Sequence, residues 1–148
     1  MPEQELIDKL IATYRTLNLT VRPLPEERLR AVGPNGSSVR EIVRQLRDDE
    51  LRYSQALKVR IATGQPMPSI ADEAMPVVGS EHEDDPTAVL IAQFGTARES
   101  TLAMLRSLPN GEWDSPAAGN PTIRASVQNL IASDQRRLDQ IQRLLNSR

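Results

Sequence analysis

Four stretches of this chain repeat apolar residues at the three-and-four spacing that lines one face of an α-helix, and no stretch alternates as a strand does. That periodicity restricts the fold to packed amphipathic helices. From Glu3 to about Asn18 the apolar set is Leu6, Ile7, Leu10, Ile11, Tyr14 and Leu17. A second helix carries Val39, Ile42, Val43, Leu46, Tyr53, Leu57 and Ile61. The third shows Val89, Leu90, Phe94, Ala97, Leu102, Met104, Leu105 and Leu108, and the fourth Ile123, Val127, Leu130, Ile131, Leu138, Ile141, Leu144 and Leu145. A chain of 148 residues suits one domain, 1–148, that buries about 70% of its unfolded surface.

The stretches between are punctuated by helix stops and starts. Residues 22–36 hold Pro23, Pro25, Gly33, Pro34 and Gly36 and read as a connection with one helical turn at Glu26–Arg30. Ser38 and Glu41 have the spacing of a capping box, in which hydroxyl and carboxylate satisfy orphan amides reciprocally, so the second long helix starts there and stops near Gly64 and Pro66. Residues 65–86 form a long acidic loop, with Asp72, Glu73, Glu81, Glu83, Asp84 and Asp85 and no lysine or arginine. Asp85 and Pro86 suit the cap and first positions of the third helix, and Thr122 caps the fourth. Connections of this length exceed those of a minimal up-and-down bundle. The expected fold is an all-α four-helix bundle with long crossover connections, drawn from 18–38 and 63–86.

Composition removes several functions. Without cysteine there is no disulfide framework, thiol nucleophile or thiolate-ligated metal. Eighteen basic residues stand against 20 acidic ones and are dispersed, which gives no nucleic-acid footprint. No apolar run reaches the ~20 residues of a membrane span, and the N-terminal residues lack a signal peptide's basic and apolar regions. A cytoplasmic protein is expected. The lone histidine, His82, could chelate adventitious metal with Glu81, Glu83 or Asp85, but one imidazole is no site and a solvated side chain is the simpler reading. Arg98, Glu99, Arg106, Arg136 and Arg143 read as a solubility face, and the consecutive acids Asp48-Asp49-Glu50 as solvated charge pointing in different directions. Gly33-Pro34-Asn35-Gly36 is a turn without the lysine of a phosphate-binding loop.

The segment Ser37-Ser38-Val39-Arg40-Glu41-Ile42-Val43-Arg44-Gln45-Leu46-Arg47-Asp48-Asp49-Glu50 resembles the second helix of the DinB/YfiT-like metalloenzyme bundles. Trp113, Thr122-Ile123-Arg124 and the run from Ile131 to Ile141 resemble that family's tryptophan-containing loop and last helix. The resemblance implies a divalent metal at the open end of the bundle, held by one histidine of the second helix and two of the last, four residues apart. It also implies thiol-dependent transferase or isomerase activity, as in bacillithiol and mycothiol enzymes. The ligand positions fall on Gln45, Ser133 and Arg137, and none is histidine. Amide and hydroxyl oxygens are weak zinc or nickel ligands, and a guanidinium has no acceptor to offer. The expectation is therefore a degenerate metal site with no cofactor.

Helix geometry shows what would stand there instead. With ~100° per residue and Ile42 at zero, Leu46, Asp49 and Tyr53 fall within ~40° and Gln45 about 60° aside. From Leu130, the residues Ile123, Asp134, Arg137 and Ile141 fall within ~40° and Ser133 about 60° aside. Inward charges need partners or water. Two arrangements follow for the pocket of Gln45, Asp49, Ser133, Asp134 and Arg137: an ion-pair plug, with Arg137 bridging Asp49 or Asp134, or an open pocket in which Arg137 receives a small anionic ligand. Two functional classes follow as well. One is a non-catalytic small-molecule-binding or interaction protein, and the other a metal-independent thiol-dependent transferase or isomerase using Arg137 as an anion clamp. Bundles of this size often pair through helix faces, and a homodimer is expected.

Overall fold

The four periodic stretches are four long helices in the computed structural model, which describes residues 2–67, 84–116 and 121–147. They are α1 (Glu3–Thr20), α3 (Val39–Thr63), α4 (Thr87–Arg106) and α5 (Ile123–Asn146), with a short α2 (Glu26–Arg30) and a 3-10 turn at Glu112–Asp114. No strand occurs among the described residues. His82, Glu81 and Glu83 lie outside them, and so does most of the acidic loop.

Local chemistry explains the boundaries. Ser38 Oγ accepts the Glu41 N–H at 3.1 Å, and Thr122 Oγ1 accepts the Ala125 N–H at 3.2 Å. The capping box at α3 is only half made, because the Glu41 carboxylate receives the Arg44 guanidinium one turn along instead of returning to Ser38. Gly64, at φ 70°, closes α3 in the left-handed conformation that costs glycine least. At α4 the start shifts by one residue from expectation: Pro86 is the cap and Thr87 the first helical residue.

Contacts between helices give their directions. Arg47 donates to Gln93 at 2.9 Å and Ser54 to Ser100 at 3.5 Å, so α3 and α4 run the same way. Glu3 pairs with Arg124 at 3.1 Å and Thr13 with Asp134 at 2.8 Å, so α1 and α5 also run together. The two pairs oppose each other, as Tyr53 with Ser126 and Asp49 with Arg137 show. Residues 21–38 therefore join α1 and α3 at one end of the bundle, which corrects the expectation that 18–38 supplies a crossover. Gly64 and Thr87, by contrast, lie at opposite ends.

The apolar interior is divided into two clusters. One gathers Leu6, Leu10, Leu57, Leu102, Trp113, Ile123 and Val127, the other Leu17, Val21, Leu29, Leu46, Leu90, Phe94 and Ile141. Along every long helix the chain passes from one cluster to the other, and between them each helix carries polar residues. Two expected core residues are outside: Ile61 is 46% exposed and Val89 38%. Trp113 is buried under the guanidinium of Arg124, which also holds Asp114 at 2.8 Å.

Candidate functional site

The layer between the clusters contains the residues that sequence reasoning singled out, with different partners for some of them. Arg98 of α4 is 1% exposed, which corrects its assignment to a solubility face. It donates to Glu50 Oε1 at 2.7 Å, to Asp134 Oδ2 at 2.9 Å and Oδ1 at 3.3 Å, and to the Leu10 carbonyl at 2.8 Å. Thr13 Oγ1 donates to the same Asp134 Oδ2 at 2.8 Å. All four long helices thus meet on one guanidinium. Burial alone would push Arg98 toward losing its proton, but Glu50 and Asp134 outweigh that and hold it above the ordinary arginine range.

Toward the surface, Arg137 of α5 bridges to α3, donating to Gln45 Oε1 and to Asp49 Oδ2, the latter at 3.1 Å. Arg52 approaches the other oxygen of Asp49 at 3.5 Å. Burial raises the Asp49 pKa, and the nearby guanidiniums of Arg137 and Arg52 only partly offset it. Of the five candidate residues, Gln45, Asp49 and Arg137 come together. Asp134 turns instead to Arg98, and the half-buried Ser133 does not join the hydrogen bonds of this cluster.

The acids of α3 are likewise not a solvated run. Glu50 is fully buried on Arg98, and Asp48 is buried between Arg47, at 2.8 Å, and Arg44, at 2.9 Å. Apart from the Asp48 group, the layer sets three carboxylates (Asp49, Glu50, Asp134) against three guanidiniums (Arg52, Arg98, Arg137) and is neutral by count. Neutrality matters because an uncompensated charge at this depth costs several kcal/mol or more.

Sequence reasoning missed Arg98 and Glu50 because each was read by residue type. Their spacing held the signal. Arg98 falls four residues after Phe94 and four before Leu102, and Glu50 four after Leu46 and three before Tyr53. Both sit on the apolar stripe of their helix.

The positions that the family resemblance assigns to metal ligands do not fit a metal. Arg137 cannot ligate, the Gln45 amide oxygen already accepts from it, and the Ser133 hydroxyl is a weak ligand. Among the described residues no three of the histidine, cysteine, aspartate and glutamate side chains converge as a cation would need. Two open grooves flank the layer. One, of about 650 Å³, runs between α3 and α4 past Leu51, Lys58, Val89 and Gln93. The other, of about 440 Å³, runs between α1 and α5 past Leu6, Thr13, Ile131 and Asp134. No family model, curated protein or solved structure matches this chain.

Proposed function

We propose that this chain is a DinB-like bundle in which a guanidinium has taken over the metal position, and that it works as a non-catalytic small-molecule-binding or interaction protein. The observation that carries the reading is Arg137 held between Gln45 and Asp49, a cation standing between the two helices that the resemblance would link through a metal. A mechanism that polarises a thiol or water with a metal has no ligand set to work from. The parallel α3 and α4 support the crossover that the bundle reading needs.

The alternative, a metal-independent thiol-dependent transferase or isomerase with Arg137 as anion clamp, is less well supported. Two of the five N–H donors of Arg137 already serve Gln45 and Asp49, so an anionic ligand would have to share the guanidinium with the Asp49 carboxylate. The proposal keeps a homodimer, with sedimentation velocity as its check.

Metal analysis of untagged protein tests the central reading, with less than a tenth of an equivalent of zinc or nickel expected. Stoichiometric metal would overturn it. The combined variant Gln45→His, Ser133→His and Arg137→His is then expected to bind about one equivalent. If that variant folds and takes up none, the family assignment of these positions fails.

A further inference from the structure

α2 is five residues long, far too short to persist by its own hydrogen bonds. It lies across the end of the bundle where α1 and α5 finish and α3 and α4 begin. Its one buried side chain, Leu29, packs into the apolar cluster with Leu17, Val21 and Leu90. Its polar side chains grip the backbone of other elements. Arg28 donates to the Leu145 carbonyl at 3.3 Å and Arg30 to the Asp84 carbonyl at 3.0 Å. From α3, Arg40 donates to the Asp85 carbonyl at 3.0 and 2.7 Å.

The start of α4 depends on this arrangement. Its cap residue, Pro86, makes no side-chain cap hydrogen bond. The missing acceptor comes from α2: both oxygens of Glu26 lie 3.1 Å from the Thr87 N–H. A carboxylate at a helix N-terminus satisfies an orphan donor and opposes the positive end of the helix dipole. Arg30 Nε holds that carboxylate at 2.7 Å, and Arg40 Nε stands 4.0 Å away.

We infer that α2 is an acid-sensitive clasp: ionised Glu26 ties the first turn of α4 to α2 and α3, and loss of its charge loosens that turn while the rest of the bundle stays as firmly folded. Among the described residues the charged groups facing Glu26 are Arg30 on its own helix and Arg40 on α3, while α4 presents an N–H and Asp84 and Asp85 turn carbonyls to the arginines. Burial would raise the Glu26 pKa, but the bonds from Arg30 and Thr87 outweigh it and leave it below the usual glutamate range. A depressed carboxyl pKa contributes stability above the unfolded value and loses it as pH falls through the folded one. The clasp is therefore tightest at neutral pH and weakens in acid.

NMR of the Thr87 amide tests the inference. In the wild-type protein its proton shift is expected to titrate with a midpoint below 4.5, the ordinary glutamate value, and in Glu26→Gln that titration disappears. At pH 7 the same variant is expected to exchange the Val89 and Leu90 amides about fivefold faster, as the loss of a cap gives, with α5 amides unchanged. A Thr87 shift that does not titrate, or titrates equally in Glu26→Gln, overturns the inference. So does exchange that accelerates uniformly through the bundle. If Glu26→Gln does not fold, the wild-type titration still decides, with Arg30→Gln expected to move its midpoint upward.

Discussion

Arg98 sits in the middle of the molecule with its charge accounted for by Glu50 and Asp134 and its Cζ 4.8 Å from the centroid of the Phe94 ring. Removing one member of such a group strands the others in a low-dielectric interior. Arg98→Met is therefore expected to lower unfolding free energy by about 3–5 kcal/mol in urea titrations. Arg137 is a milder case, since its side chain keeps 26% exposure and Asp49 keeps 32%. Arg137→Ala is expected to cost about 1 kcal/mol, within the range for a partly solvated charged hydrogen bond. That cost depends on pH. A carboxyl whose folded pKa is raised, as for Asp49, favours the folded state below its unfolded pKa and loses that contribution as pH rises through the folded value. Without Arg137 the Asp49 pKa goes higher still, so the deficit in melting temperature should be largest at neutral pH and shrink toward pH 3.

At the scale of elements, caps and glycines set where helices end and how closely they approach. Gly95 is buried in α4 against Tyr14 of α1, and a Cβ at this position would stand 2.5 Å from the tyrosine ring. Alanine adds up to about 1 kcal/mol of helix propensity, but here it forces the ring aside. Gly95→Ala should thus destabilise the wild-type protein and stabilise a Tyr14→Ala background, a sign reversal that a double-mutant cycle in urea would read directly. Equal effects in the two backgrounds would mean that the close approach carries no energy. The elements themselves were legible from periodicity and caps: α2 at Glu26–Arg30, α3 from Ser38 to Gly64 and α5 from Thr122 all stand where spacing and stop signals put them. The capping box was read too generously, because a template names the residues and cannot know that Arg44 competes for Glu41.

At the scale of the molecule, the ion layer separates two apolar clusters and draws on all four long helices at one level. Its net worth differs from the cost of breaking it, because well-packed apolar residues often replace a buried ion group at little loss. The combined variant Arg98→Met, Glu50→Leu and Asp134→Leu is expected to recover most of the stability lost in Arg98→Met alone. What it gives up is register, since an apolar layer tolerates sliding that paired charges forbid. Broader side-chain methyl resonances, with stability within about 2 kcal/mol of wild type, would be the signature. A triple variant no more stable than Arg98→Met would show that the layer is needed for its energy as well as its geometry.

Helix positions, their apolar faces and the inability of the Arg137 guanidinium to ligate a metal were all determined by residue order alone. Each depends on neighbours within a turn or two, or on what a side chain can chemically do. The partners of the charged residues were not. Arg98 meets Glu50 from 48 residues away and Asp134 from 36, and which guanidinium takes which carboxylate follows from the level at which separate helices align. That alignment is a property of packed volume shared between elements, and only the assembled bundle decides it.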